Sequence, residues 1–137
     1  MLKEVEELLE KLKKEIAASG DKRLSPNFRL SEFACKCGCG YANPHPELVR
    51  RLQGLRGDIG RPVVILSGCR CKSHNLSVGG RPQSYHLFGW AADIIVPNME
   101  LEKLAKLCRE RFDGVGVYYQ KKYVHVDVRG YPARWSH

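Results

Sequence analysis

The sequence feature that most limits the fold of this chain is residues 84–93, SYHLFGWAAD, which lead directly into the apolar run IIV. The apolar run predicts a buried strand, and Asp93 stands at its head. A carboxylate in apolar surroundings is costly unless a metal ion or an ion pair compensates its charge. The sequence therefore predicts that a cation meets this strand at Asp93.

His86 is the nearest candidate to share such a cation with Asp93. In a straight helix, residues seven apart would be separated by about 10 Å, whereas zinc ligands lie about 2.0–2.2 Å from the metal. The chain must therefore turn between the two residues, and Gly89 predicts where it does so. The small side chains of Ala91 and Ala92 allow the segment after the turn to lie close to the segment before it.

A second histidine lies in residues 123–129, YVHVDVR, which follow GVGVYY after a short turn and predict a strand pair. Alternation along a strand separates an apolar face from a polar one. The apolar face carries Val124, Val126 and Val128, and the polar face carries Tyr123, His125, Asp127 and Arg129. The polar face is either solvent-exposed or the floor of a site. Two histidines and a carboxylate (His86, Asp93 and His125) are typical of a catalytic zinc site with an open fourth position.

The cysteines form a second group of candidate ligands. Three lie in ACKCGCG and two in GCRC, and these five are Cys35, Cys37, Cys39, Cys69 and Cys71. They predict either disulfides or a second, structural zinc. Cys108 lies on the apolar stripe of a predicted helix, where it can be an ordinary core residue.

Helical periodicity marks three segments outside the candidate site. Residues 2–18 carry an apolar stripe whose members are Leu2, Val5, Leu8, Leu9, Leu12 and Ile16. This stripe predicts a packing helix or self-association. Residues 46–60 and 99–112 predict two further helices, the second with Asn98 as N-cap. Residues 61–68 predict a strand buried on both faces, and residues 69–84 a long polar loop.

Length and charge limit the classes of protein. A chain of 137 residues fits one domain, preceded here by the helix: residues 1–20 for the helix and 21–137 for the domain. No apolar run is long enough to span a membrane, and the charged N-terminus does not fit a secretory signal peptide. The net charge of +8 favours an anionic partner, although no nucleic-acid module is present and that partner class is not favoured.

Residues 84–93 resemble the S-x-H-x-x-G-x-A-x-D signature of the zinc D-Ala-D-Ala carboxypeptidase family, whose fold is shared with the hedgehog signalling domain. NFRLSEFAC, LVRRLQGLR, PVVILSGCRC, HNLSVGG and YVHVDVRG also match in order, over roughly residues 25 to 135. The resemblance is strongest to small bacterial and phage cell-wall enzymes. It implies an α+β fold with helices packed on a mainly antiparallel sheet.

The resemblance also implies roles for individual residues. His86, Asp93 and His125 match the zinc ligands, Arg70 matches an arginine that contacts the substrate or its polarised carbonyl, and Ser84 matches a hydrogen-bonding serine at the site mouth. Related enzymes often carry an acidic residue or histidine two or three positions before the second histidine ligand, where this chain has Tyr123 and Lys122. Asp127 is then a candidate either for acid–base work or for orienting His125, and Tyr123 for stabilising an oxyanion.

The sequence thus predicts a zinc-dependent peptidase acting on D-amino-acid-containing stem peptides of peptidoglycan. The activity would be that of a D,D-carboxypeptidase or of an endolysin-type endopeptidase. The enzyme would be made in a bacterial or phage-infected cytoplasm and act on the wall when released. A non-catalytic zinc module that binds wall peptide or a protein partner is the alternative, because the usual acid–base residue is missing.

Overall fold

The structure is a computed structural model that describes residues 2–137, without the side chains of residues 12–20. Its helices are α1 (Leu2–Gly20), α2 (Pro46–Ile59), α3 (Lys72–Ser77) and α4 (Leu101–Arg109), with short 3₁₀ helices at Leu30–Phe33 and Tyr85–Phe88. Its strands are β1 (Arg23–Ser25), β2 (Phe28–Arg29), β3 (Val64–Ser67), β4 (Ala91–Ile95), β5 (Gly114–Tyr118), β6 (Tyr123–Asp127) and β7 (Ala133–Ser136).

Five strands form the central sheet in the order β3-β4-β6-β5-β7, and β1 and β2 form a separate antiparallel pair. Every pairing in the central sheet is antiparallel except β5 with β7. The α+β class with a mainly antiparallel sheet and packed helices is therefore confirmed.

The core contains buried residues of the central sheet and of helices α2 and α4. The predicted alternation in β6 is confirmed, because Val124 and Val126 are fully buried in this core. α2 begins at Pro46, as expected for a residue that has no N–H to leave unpaired. It ends at Gly60, which adopts a left-handed φ of 70°. Between these ends, α2 contributes the buried residues Leu48, Val49, Leu52 and Leu55 to the core.

The prediction that residues 61–68 are buried on both faces was wrong. β3 is an edge strand that pairs only with β4, and Val64 and Leu66 are 38% and 40% exposed. An apolar run cannot by itself distinguish a central strand from an edge strand. Val63 and Ile65, on the other face of this alternation, point into the core at 5% and 6% exposure.

Two smaller expectations also needed correction. The predicted loop of residues 69–84 contains helix α3. Glu100, and not Asn98, occupies the N-cap position of α4, and Asn98 has a positive φ of 62° in the preceding turn. In addition, the C-terminal residues Ala133–Ser136 form strand β7, which pairs with β5 and which no sequence pattern had indicated.

Helix α1 has the predicted periodicity, and the described members of its apolar stripe, Leu2, Val5, Leu8 and Leu9, are exposed. Leu12 and Ile16 belong to the same stripe but fall among the side chains outside the described part. The division of the chain at residue 20 and self-association through α1 stay predictions. Among residues 2–137, no helix is long and apolar enough to cross a membrane.

Candidate metal centre

The three predicted zinc ligands meet where the neighbouring strands β4 and β6 pair. Asp93 on β4 lies directly opposite His125 on β6 in the antiparallel register. His86 lies in the 3₁₀ helix that precedes β4. Between them the chain turns at Gly89, which has a φ of 73° and whose position would place a Cβ against the backbone carbonyl of Asn43. Only glycine satisfies both the left-handed backbone and the close approach.

The spacing of the donor atoms fits one tetrahedral metal. Asp93 Oδ1 lies 3.2 Å from His86 Nε2 and 3.2 Å from His125 Nδ1. Ligand atoms about 2.0–2.2 Å from a tetrahedral centre are separated by about 3.3–3.6 Å. The three donor atoms all lie within 4.8 Å of one another, and the three residues are at most 8% exposed. The donor set and its burial therefore suit zinc.

Each histidine has one ring nitrogen held by a partner outside the triad. His86 Nδ1 lies 2.7 Å from the carbonyl oxygen of Gly68 and therefore donates to it. His125 Nε2 lies 2.7 Å from Asp127 Oδ2 and donates to that carboxylate. The remaining nitrogens, Nε2 of His86 and Nδ1 of His125, face Asp93 Oδ1 and are the ring atoms left to bind a metal. Such partners fix the tautomer of a metal-binding histidine.

The triad stabilises negative charge at Asp93. Burial opposes ionisation of this carboxyl, but the charge of His86 and the hydrogen bonds of His125 and His86 outweigh burial and hold its pKa well below the usual range. Burial lowers the pKa of His125, yet its hydrogen bonds to Asp127 and Asp93 raise the pKa overall. The centre therefore favours a positive charge between the histidines and the carboxylate, as the position of Asp93 in an apolar strand predicted.

Asp127 lies on the far side of the His125 ring from Asp93 and is fully buried. Its Oδ2 accepts from His125 and from Arg129 Nη2 at 2.7 Å each, and its Oδ1 accepts from Arg129 Nε at 2.9 Å and from the Arg129 backbone N–H at 3.2 Å. With both oxygens engaged, the carboxylate has no free lone pair to present to a substrate. The predicted acid–base role does not fit this geometry, whereas the alternative role of orienting His125 does.

Arg70 contacts the triad directly. Its Nη2 donates to Asp93 Oδ2 at 2.9 Å, and its Nε donates to the Ser67 hydroxyl at 3.0 Å. Its backbone N–H donates to the carbonyl of His86 at 3.0 Å. Arg70 is therefore an ion-pair partner of Asp93. The two kinds of compensation considered for this carboxylate, a metal ion and an ion pair, can both be present at this site. Contact of Arg70 with a substrate stays a prediction.

The other two predicted site residues lie around the triad. The Oγ of Ser84 accepts from the backbone N–H of His86 at 3.2 Å, so Ser84 caps the 3₁₀ helix that carries the ligand. Burial and then the charge of Asp93 raise the pKa of Tyr123 to about 12. The phenol therefore stays protonated at neutral pH and can donate a hydrogen bond. Substrate binding by Ser84 and oxyanion stabilisation by Tyr123 stay predictions.

Sequence reasoning missed the partners that hold these residues. Asn75 is buried, and its side chain accepts from Arg70 Nη1 at 3.3 Å while donating to the carbonyl of Arg81 at 2.8 Å. The Trp135 ring lies 5.1 Å from the His125 ring, centroid to centroid. The Arg129 guanidinium lies over the rings of Tyr85 and Trp135, at 4.7 and 5.0 Å from their centroids. The motif HNLSVGG was the one available signal for Asn75, and nothing in the sequence indicated the contact of Trp135.

Four of the five predicted cysteine ligands come together, and one does not. The Sγ atoms of Cys35, Cys37, Cys39 and Cys71 lie within 4.8 Å of one another. Cys69 is buried in the core, and its Sγ accepts from the backbone N–H of Asn43 at 3.2 Å. Cys71 and Cys69 are two residues apart in GCRC but differ in environment, so the motif alone overstated the size of the cluster.

The sequence model of the peptidase M15 family matches residues 26–127, which include all three ligands of the triad and most of the central sheet. No curated protein matches the chain. The family match covers most of the 137 residues and agrees with the resemblance seen in residues 84–93. The chain belongs to the peptidase M15 family, that of the zinc D-Ala-D-Ala carboxypeptidases.

Proposed function

We propose that the protein is a zinc-dependent peptidase that hydrolyses D-amino-acid-containing stem peptides of peptidoglycan, as a D,D-carboxypeptidase or an endolysin-type endopeptidase. The observation that carries the proposal is the triad, in which three buried donor atoms converge at the spacing of a tetrahedral zinc. A set of two histidines and one carboxylate leaves a fourth position open for chemistry.

His86 Nε2, Asp93 and His125 Nδ1 would hold the zinc. When bound, zinc supplies a Lewis acid that polarises the scissile carbonyl and makes water a stronger nucleophile at neutral pH. Asp127 keeps His125 in the tautomer that leaves Nδ1 free, and Gly68 does the same for His86 through its carbonyl. These partners prepare the ligand set before substrate arrives.

Two side chains beside the triad suit the substrate. Arg70 is only 12% exposed and planar, and its guanidinium has five N–H donors, so it can hold Asp93 and still direct a donor to a substrate carbonyl or carboxylate. Tyr123, protonated at neutral pH, can donate to the oxygen on which negative charge develops. The net charge of +8 would hold the enzyme near anionic wall polymers.

The alternative is a zinc module that binds wall peptide without cleaving it. One observation favours this alternative: Tyr123 and Lys122 stand where related enzymes often carry an acidic residue or histidine, and Asp127 is fully engaged by His125 and Arg129. No carboxylate on strand β6 would then be free to transfer a proton.

The test is digestion of defined stem peptides ending in D-Ala-D-Ala and of cross-linked muropeptides, with products identified by mass. Zinc-loaded protein should cleave at least one of them, and a chelator should abolish cleavage reversibly. His125→Ala should lose cleavage, whereas His74→Ala, a partly buried histidine outside the triad, should keep it. Binding without turnover by zinc-loaded protein would support the alternative, and neither binding nor turnover would refute both.

A further inference from the structure

The four clustered cysteines bring their sulfurs within 4.8 Å of one another. Their Sγ atoms are separated by 3.4 Å between Cys35 and Cys37, 3.7 Å between Cys37 and Cys71, and 3.9 Å between Cys35 and Cys71. Sulfurs bound to zinc at about 2.3 Å in tetrahedral geometry lie about 3.8 Å apart. These three separations fit three sulfurs around one ion, and the Cys39 sulfur lies within 4.8 Å of all three. The separations do not fit bonded pairs, in which each sulfur has one partner at about 2.05 Å.

Backbone N–H groups point at all four sulfurs. Cys71 Sγ accepts from His74 N at 3.4 Å, Cys39 Sγ from Tyr41 N at 3.5 Å, and Cys35 Sγ from Cys71 N at 3.4 Å. The backbone N–H of Cys37 also faces the Cys35 sulfur, and that of Cys39 faces the Cys37 sulfur. In residues 35–41 each cysteine sulfur thus faces the N–H two residues later. Donors of this kind stabilise thiolates that bind a metal.

We propose that Cys35, Cys37, Cys39 and Cys71 bind one Zn²⁺ as a structural site, separate from the peptidase triad. Four thiolates complete the tetrahedron and leave no open position for water, so the site is structural rather than catalytic. Binding would release the protons of the four thiols. The site does not depend on the proposed peptidase activity.

The position of this site gives it a second role, which is to hold Arg70. Zinc would join residues 35–39 to Cys71, the residue directly after Arg70. Cys71 also caps helix α3, which carries the buried Asn75 that accepts from Arg70. On the other side of Arg70, the backbone N–H of Cys69 donates to the Phe33 carbonyl at 2.8 Å. The segment that presents Arg70 to Asp93 is therefore fixed at both ends, and zinc would fix one of them.

Zinc content measured by mass spectrometry of intact native protein and by elemental analysis tests the proposal. Wild-type protein should hold two zinc ions per chain, and the His86→Ala/His125→Ala double variant should keep one. Cys37→Ser/Cys39→Ser should also keep one, because it removes two exposed ligands of the cluster. Cys108→Ala, which changes a buried cysteine outside the cluster, should keep two. One zinc in the wild type that survives Cys37→Ser/Cys39→Ser would overturn the proposal and leave the peptidase triad unaffected.

Thiol reactivity provides a second readout in folded wild-type protein. The residues Cys37 and Cys39 are exposed, so as free thiols they should react with a thiol reagent without any release of metal. Bound to zinc, they should react only as the metal is released, with one zinc appearing for four thiols modified. Cys39→His should retain the zinc, since imidazole can replace a thiolate ligand. Reaction without zinc release, a mass lower by the hydrogens lost in disulfides, or iron in place of zinc would each refute the assignment.

Discussion

Asp127→Asn is the substitution that best separates the two roles considered for this carboxylate. The side chain keeps its shape, but an amide has one acceptor oxygen and one NH₂ group. In either orientation, its NH₂ faces a donor: His125 Nε2 on one side or the Arg129 guanidinium on the other. One of these two donors therefore loses its acceptor inside a fully buried site.

The size of the effect follows from that lost acceptor. The bond from His125 to Asp127 is 2.7 Å long, the length of a charge-assisted hydrogen bond. Loss of the partner that orients a metal-binding histidine weakens metal binding by roughly 10- to 100-fold. A buried donor left unpaired also costs about 1–3 kcal/mol of folding free energy. We therefore expect weaker zinc binding at the triad and a lower free energy of unfolding, with most activity regained when zinc is saturating.

The assay combines three measurements on Asp127→Asn: zinc affinity by competition with a chelating dye, stability by urea unfolding, and kcat at saturating zinc. Asp113→Asn is the matched control. Asp113 also accepts from an arginine and a backbone N–H, from Arg51 at 3.1 Å and Gly130 at 2.9 Å, but it contacts no ligand of the triad. This control should lose stability without losing zinc affinity.

A different outcome would refute this reasoning. If Asp127 transfers protons, zinc affinity should be unchanged and kcat at saturating zinc should fall by about 10²–10⁴-fold. The acidic limb of the pH dependence of kcat should then also disappear. Asp127 would in that case reach the substrate in a conformation other than the one described here.

Three further predictions concern packing, pH and association. Gly114→Ala should weaken zinc binding and cost about 1–3 kcal/mol in urea unfolding, because a Cβ at this position would collide with the Asp127 carboxylate. Hydrogen bonds led by that of Arg50 lower the pKa of Glu47 from 4.5 to about 2, so its contribution to stability is present above pH 4.5 and lost as the pH falls through 2. Glu47→Gln should remove this part of the dependence of Tm on pH, and an unchanged profile would show that the carboxylate contributes nothing. If α1 self-associates through its exposed stripe, Leu9→Glu should shift sedimentation toward the monomer, whereas equal sedimentation of both proteins would exclude that interface.

The parts of the fold that could be predicted from sequence are those in which one local signal decides the structure. The alternation in β6 determines which side chains enter the core, and Pro46 and Gly60 mark the ends of α2. The turn at Gly89 followed from the need to bring His86 back to Asp93. In each case backbone geometry and side-chain type point to the same answer.

Other features depend on tertiary neighbours that no local pattern encodes. β3 has the composition of a central strand but lies at the edge of the sheet, so Val64 and Leu66 stay exposed. β7 pairs with β5 through backbone hydrogen bonds, and the side chains of the two strands carry no pattern that indicates this pairing.

The candidate site shows the same division. The types and spacing of the residues indicated the triad, but the role of Asp127 depends on which atoms face its carboxylate oxygens. Only the structure shows that His125 and Arg129 occupy them. Likewise, Cys69 and Cys71 are indistinguishable as motif residues, and only their positions in the fold separate a core residue from a member of the cluster.

The most direct test of the central claim is anomalous diffraction at the zinc absorption edge from crystals of the zinc-loaded protein. We expect an anomalous peak for a zinc ion bonded to His86 Nε2, Asp93 and His125 Nδ1, with Asp127 holding the opposite nitrogen of His125. The absence of a peak at these three residues, or a zinc bonded to His125 through Nε2, would contradict it.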